Sequence, residues 1–261
     1  MTQHIPRKRF GQNFLTDRQV VADIVSAIHP SKNDRLVEIG PGMGALTRPL
    51  LQAVCHLHVV EIDRDIIDHL RGEFSGKQLE IHAGDALEFD FSAIGEDLRV
   101  IGNLPYNIST PLLFHLSRYA PCIRDMHFTL QKEVVQRMVA ASSTPAYGRL
   151  SVMLQYRFEM EQLFIVPPTS FRPVPKVESA VVRMIPRQQP LIDRGKEELF
   201  ATIVAAAFAQ RRKTLRNTLH EYLKPEDYAL LEMDAGLRAE NLTVLQYAAI
   251  ADHISKQLVR S

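Results

Sequence analysis

Residues Asn103-Leu104-Pro105-Tyr106-Asn107-Ile108-Ser109 combine the types and spacing needed to bind and activate a planar amine. The Asn103 side-chain oxygen and the Leu104 and Pro105 carbonyls are hydrogen-bond acceptors. Pro105 brings no N–H and biases Leu104 toward an extended backbone. Tyr106 sets a flat ring beside these acceptors, which together suit a base with an exocyclic amine, such as adenine. The segment follows an apolar run, Leu98, Val100 and Ile101, that reads as a buried strand. Open α/β sheets carry their sites beyond the C-terminal ends of such strands. Asn and Pro also build ordinary turns, so a plain turn competes until the rest of the chain is weighed.

A second cluster supplies a nucleotide-type pocket. Val37-Glu38-Ile39-Gly40-Pro41-Gly42-Met43-Gly44 closes an apolar strand and opens a helix, and glycines there allow a tight turn and close approach of a ligand. Glu61 ends the next strand about 20 residues on, where an acid meets ribose hydroxyls in nucleotide folds. Gly84-Asp85 ends a third, where a carboxylate could accept from an adenine amine. Each feature alone is compatible with a structural turn or a solvated acid; the three fall at successive strand ends. NAD and S-adenosylmethionine compete for such a pocket. Glu38 in the first strand would repel a diphosphate and suit a cationic sulfonium with its amino-acid tail, which favours S-adenosylmethionine.

The elements that would hold these sites include strands predicted at Leu36–Ile39, Leu57–Glu61, Leu79–His82, Val100–Gly102 and Met126–Leu130. Helix-period segments at Ala45–Ala53, Asp65–Phe74 and Thr110–Tyr119 lie between them, an alternation that indicates a parallel sheet covered on both faces. Leu150–Phe158 and Ser179–Ile185 fit later strands, an antiparallel pair at the sheet edge. Pro186–Gly195 reads as a linker, and the pattern beyond it is helical.

The 261 residues suffice for a large domain and a small one. A net charge of +1 excludes a uniformly basic nucleic-acid binder, so any such partner must be met by local clusters. Cys55 and Cys122 are far apart without a CxxC, which points to neither a disulfide framework nor a zinc site, and no metal is expected. No signal-peptide core follows Arg7-Lys8-Arg9, and the longest apolar run, Ile203 to Ala209, is too short to span a bilayer. A cytoplasmic protein without a membrane partner is expected.

The order of these motifs carries a resemblance. Phe10-Gly11-Gln12-Asn13-Phe14-Leu15, Glu38-Ile39-Gly40-Pro41-Gly42, Glu61-Ile62-Asp63, Gly84-Asp85-Ala86 and Gly102-Asn103-Leu104-Pro105-Tyr106 are followed by Leu130-Gln131-Lys132-Glu133-Val134, Phe171-Arg172-Pro173-Val174-Pro175-Lys176-Val177 and Arg211-Arg212-Lys213-Thr214. Over nearly its whole length the chain resembles the ribosomal RNA adenine N6,N6-dimethyltransferases, the bacterial small-subunit (16S) enzymes above all. The resemblance implies an α/β fold: a Rossmann-like class I S-adenosylmethionine-dependent methyltransferase domain with a mostly parallel seven-stranded sheet (residues 1–186), then a small helical RNA-binding domain (187–261). It implies that Asn13 and Leu15 close over the methyl donor. Gln12, Glu38, Gly40, Gly42, Glu61, Ile62, Asp85, Ala86 and Asn103 would line its site. Asn103, Leu104, Pro105 and Tyr106 would form the target-base pocket, with Phe171 nearby. The substrate it implies is a pair of adjacent adenosines in a hairpin loop near the 3′ end of 16S rRNA, each methylated twice at N6 in the assembling small subunit. A monomer is expected.

Two basic clusters offer themselves to RNA. Arg211, Arg212, Lys213 and Arg216 fall in one predicted helix, with Val204, Phe208, Leu215 and Leu219 as its buried stripe. Arg212 and Arg216 then stand one turn apart, a repulsive pair unless an anion faces them; a solvated basic face is the competing reading. Arg7, Lys8 and Arg9 form the second cluster, or a free tail. The proline-rich segment after Phe171 reads as a stiff loop that either holds the ring against an extruded base or anchors itself with it. The functions left in competition are a macrolide-resistance-type large-subunit rRNA methyltransferase, a non-catalytic RNA-binding factor and an NAD-dependent dehydrogenase.

Overall fold

Apolar runs buried on both faces form the centre of the first unit, as parallel strands between helical layers require. Residues 13–258 are described in the computed structural model. The elements are, in order, β1 (Phe14–Leu15), α1 (Arg18–Ile28), β2 (Arg35–Ile39), α2 (Thr47–Ala53), β3 (Leu57–Glu61), α3 (Arg64–Glu73), β4 (Leu79–Ala83), β5 (Leu98–Asn103), α4 (Ser109–Ser117), β6 (Ile123–Gln131), α5 (Lys132–Val139), α6 (Arg149–Gln155), β7 (Phe158–Val166), β8 (Phe171–Arg172), β9 (Ser179–Pro186), α7 (Glu197–Phe208), α8 (Leu215–Thr218), α9 (Pro225–Leu230) and α10 (Val244–Leu258). Seven strands make one sheet in the order β4-β3-β2-β5-β6-β9-β7. β2 through β6 run parallel, and β9 joins β6 antiparallel. This is the mostly parallel seven-stranded arrangement expected from the sequence. Strand order reverses between β2 and β5, so a crevice opens there beyond the strands' C-terminal ends.

The crevice is narrow at its floor because the two strands approach closely at Gly102. A Cβ on Gly102 would sit 2.6 Å from the Ile39 carbonyl oxygen. At the opposite, N-terminal edge of the sheet, a buried ion network ties the strands together. Arg99 Nη1 donates to Asp34 at 2.6 Å and Nε to Asp125 at 3.0 Å, while Nη2 reaches the Ile28 carbonyl. Arg124 bonds the second oxygen of Asp34.

Two sequence expectations change here. Leu150–Phe158 is not a strand: Arg149–Gln155 is helical, and the edge strand is Phe158–Val166. Ser151 Oγ accepts from the Gly148 N–H at 3.0 Å and starts the helix, in the manner of a capping box. The chain was also expected to divide once, at residue 186. By contacts it forms two units, one up to Val135 with Met160–Pro186, the other Gln136–Glu159 with the residues from Arg187 on. Residues 136–159 belong to the second unit because Ala140, Tyr147, Val152 and Tyr156 share its core with Phe200, Ile203, Val204, Leu215, Leu219 and Tyr247. The presumed linker is also packed, with Ile192 buried in that core.

The second unit holds a further correction. The basic run does not lie in one helix: α7 ends at Phe208 and α8 begins at Leu215. The Leu215 and Arg216 N–H groups donate to Leu237 O and Ala235 O rather than to carbonyls four residues earlier, so a continuous helix cannot form. Leu215 and Leu219 are buried as expected, and Arg211, Arg212, Lys213 and Arg216 are exposed on the turn and the short helix after it.

Candidate active site at the mouth of the sheet

Four strand ends and one N-terminal segment of the first unit enclose a cleft of about 290 Å³, near the lower end of small-molecule sites. From β2 come Glu38, Gly40, Pro41 and Gly42; from β3, Glu61 and Ile62; from β4, Gly84, Asp85 and Ala86; from β5, Asn103 to Ile108. Asn13, Phe14 and Leu15 form the remaining wall. All the expected pocket residues among those described meet here except Phe171. Gln12 lies outside the described residues, as do Arg7, Lys8 and Arg9.

The glycine turn is shaped for a ligand. Gly40 and Gly42 have φ of +65° and +53°, values that L side chains rarely adopt. A Cβ on Gly42 would come within 2.9 Å of the Phe14 ring, so this glycine also seats the N-terminal wall. Phe14 was not singled out from the sequence; it stands inside the quoted motif, beside two residues that were.

Burial shifts both glutamates of the cleft upward. Glu38 is buried, accepts from Thr47 Oγ1 at 2.7 Å, and is pushed up to about 7, chiefly by burial and further by nearby Glu61. Glu61 is also raised by burial, against the backbone N–H groups of Ile62 and Asp63 that donate to its Oε1 at 2.8 Å. These bonds fix the orientation of the carboxylate at the end of β3. Asp85 Oδ1 accepts from the Leu87 N–H at 2.9 Å, and Ile62 next to Glu61 is 47% exposed, an apolar surface at the mouth. A mostly apolar hollow that holds two buried carboxylates suits a nucleoside carrying a cationic tail.

On the β5 side, Asn103 Nδ2 donates to the Asn13 carbonyl at 2.8 Å, which turns Oδ1 the other way. The Tyr106 hydroxyl is 2.7 Å from Ser179 Oγ at the start of β9, and burial raises its pKa. Pro105 O accepts from the Ile108 N–H and closes the turn that Asn103 and Pro105 also allowed, so this expected acceptor is taken up by the turn. Ser179 lies 73 residues from Tyr106, and no local signal marked it.

Phe171 is the exception. β8 pairs antiparallel with β1, Leu15 opposite Phe171, and the Phe171 ring is fully buried among Leu15, Ile24, Ile28 and Val166. It does not line the cleft, and it anchors its loop. Thr16 and Asp17 N–H groups both donate to Ser170 O, so the same pairing holds the wall that carries Asn13.

Comparison with known proteins gives concordant results. A model of the family described as ribosomal RNA adenine dimethylase matches residues 3–256. The chain is 68% identical over 254 residues to ribosomal RNA small subunit methyltransferase A of Nitrosospira multiformis, covering 97% of this chain and 98% of that one. It is 62% identical over 252 residues to the protein of the same name from Nitrosomonas europaea, covering 97% and 98%. Among solved structures, a dimethyladenosine transferase from Plasmodium falciparum superposes with a TM-score of 0.82 at 25% identity, over 94% of this chain and 98% of that one. The 23S rRNA methyltransferase ErmE gives 0.75 at 25% identity, over 93% and 100%.

Proposed function

Because this chain belongs to the ribosomal RNA adenine dimethylase family, we propose that its cleft transfers methyl groups from S-adenosylmethionine to adenine N6 of small-subunit ribosomal RNA. The targets are two adjacent adenosines in a hairpin loop near the 3′ end of 16S rRNA, each methylated twice, within the assembling subunit. One observation carries the reading: the glycine turn with Glu38, Glu61 and Asp85 shares a single cleft with the Asn103–Tyr106 acceptors.

S-adenosylmethionine supplies an activated methyl group on a sulfonium. Glu38, Gly40, Gly42, Glu61, Ile62, Asp85 and Ala86 would hold it, with Asn13 and Leu15 over it. The N6 lone pair of adenine is delocalised into the ring and nucleophilic only when the amine is pyramidal. Asn103 Oδ1 and the Leu104 carbonyl accept hydrogen bonds from its N–H groups and hold it so, and the methylated nitrogen releases its proton to solvent. Positive charge growing on the nitrogen then meets dipoles already aimed at it. Extruding the base from its stack costs a few kcal/mol, and stacking on Tyr106, about 1–3 kcal/mol per base, offsets much of that. The exposed cations Arg211, Arg212, Lys213 and Arg216 supply phosphate contacts.

Small subunits from cells lacking this modification, incubated with the protein and labelled methyl donor, should acquire N6-dimethyladenosine. Asn103→Ala should fold normally and lose transfer by about 100-fold or more. Inert small subunits combined with methylation of naked 23S rRNA would turn the reading to the large-subunit class whose fold this chain shares. Full activity of Asn103→Ala would remove the pocket assignment.

A further inference from the structure

Away from the cleft, on the outermost pair of strands, imidazoles converge on a carboxylate. His56 lies just before β3 and His58 within it, Glu80 and His82 alternate along β4, and His58 stands directly opposite Glu80 in the register. Period-two alternation sends all four side chains to the same face. Their ligand atoms are close. His56 Nε2 is 3.3 Å and His58 Nδ1 3.5 Å from Glu80 Oε2. His82 Nε2 is 3.2 Å from His58 Nδ1 and 3.8 Å from Glu80 Oε1. The donor atoms of His56, His58 and Glu80 all lie within 4.8 Å of one another. Metal–ligand bonds near 2.1 Å at tetrahedral angles put ligand atoms roughly 3.4 Å apart, so these edges already approximate a tetrahedral face.

We propose that His56, His58 and Glu80 form a binding site for a zinc-type divalent transition metal on the edge of the sheet, with His82 adjacent to it. Imidazole nitrogens with one carboxylate select zinc and its neighbours over magnesium or calcium, which prefer all-oxygen shells. The first two histidines precede or begin β3, and the other pair occupies the middle of β4. A bound ion would therefore clip the terminal strand to its neighbour two residues before Gly84 and Asp85 enter the cleft. Hydrogen bonding explains the same contacts only pairwise: His58 with His82 needs one donor and one acceptor, and His56 with Glu80 is a separate pair. A metal uses all the lone pairs at once. The cysteine count, read from the sequence, was blind to this pattern.

Untagged full-length protein, stripped of metal by chelator and dialysed, is titrated with zinc chloride against a chromophoric competitor. One equivalent is expected per chain, with a rise in melting temperature because the ion binds the folded state alone. Cobalt(II) in its place should give the intense visible bands of tetrahedral coordination. His58→Gln and the more exposed His56→Gln should each weaken binding by at least the 10–100-fold that loss of an outer-shell partner costs. If His58→Gln fails to fold, His56→Gln decides. Absence of a bound equivalent, or its undiminished retention in His56→Gln, overturns the proposal. Neither readout involves methyl transfer, so a wrong assignment of the cleft would leave the result standing.

Discussion

At the scale of single residues, the role proposed for Asn103 requires its amide to face one way, and the Asn13 carbonyl sets this by accepting its N–H. Tyr106 is held by both ends, its ring at the cleft and its hydroxyl on Ser179. Ring and hydroxyl can be separated experimentally. Tyr106→Phe keeps the stacking face and should lower kcat/KM by less than about 10-fold, the value of one neutral hydrogen bond. Tyr106→Ala removes the platform and should cost about 10–100-fold, as loss of 1–3 kcal/mol of base stacking dictates. Single-turnover kinetics on small subunits would compare them; equal losses would mean that the hydroxyl matters more than the ring. Glu38 gives a second residue-level prediction. In the free protein it takes a proton near pH 7, and a cationic ligand favours its ionised form. Affinity for S-adenosylmethionine should therefore rise with pH up to about 7 and level off above it. Calorimetry should find this dependence flattened in Glu38→Gln.

At the scale of elements, a pairing of only two residues positions one wall of the site. β1 and β8 contribute only two residues each, yet they set Leu15 and Asn13 at the cleft and drive Phe171 into the core. Phe171→Ala should destabilise the first unit by about 3–5 kcal/mol, seen as an early loss of helical signal in denaturant. Residual activity at low temperature should exceed that of Asn103→Ala, since the wall and not the chemistry is disturbed. The turn between α7 and α8 presents three consecutive cations, Arg211, Arg212 and Lys213. Replacing Arg211 and Arg212 with Gln should lower the slope of log K against log salt by about 1–2 for RNA binding, leaving affinity for the methyl donor unchanged. An unaltered slope would show that these cations face solvent only.

For the molecule as a whole, the sheet of the first unit divides its labour between two edges. The C-terminal edge is open and lined by turns; the N-terminal edge is locked by the Arg99–Asp34–Asp125 network. Arg99→Ala takes the arginine from Asp125 and leaves buried Asp34 with Arg124 and the Ser31 N–H, and should cost up to about 3 kcal/mol of stability, with little effect on donor affinity once folded. The pH profile of stability carries two opposing contributions. His127 is buried on β6 and burial lowers its pKa to about 4, against 6.5 in the unfolded chain. Its contribution is present above pH 6.5 and is lost as pH falls toward 4. Glu38, at 4.5 unfolded and about 7 folded, favours the folded state when protonated, so its cost grows as pH rises from 4.5 to 7. Each shift corresponds to roughly 3 kcal/mol. Thermal melts of the ligand-free protein should show Glu38→Gln stabilised at pH 8 and unchanged near pH 4.5. His127→Leu should lose part of its acid sensitivity between pH 6.5 and 4.

Alternation of buried strands with helices, the glycine turn, and the acids at successive strand ends were legible because each is a local pattern: strand burial, turn geometry and strand-end position repeat along the chain. Period and turn chemistry thereby determined the parallel sheet and the mouth at which the motif residues would gather. The exceptions share one cause. Leu150–Gln155 carries an apolar pattern that either period can use, and packing against α7 selected the helix. The basic run keeps its helical spacing, but the 235–238 segment takes its backbone donors. Phe171, Ser179 and the His56–His82 cluster depend on partners tens of residues away, and no window of sequence contains such contacts. Tertiary structure alone decided which rings face the cleft, which are buried, and which acid holds a proton, because burial and long-range pairing are properties of the folded chain.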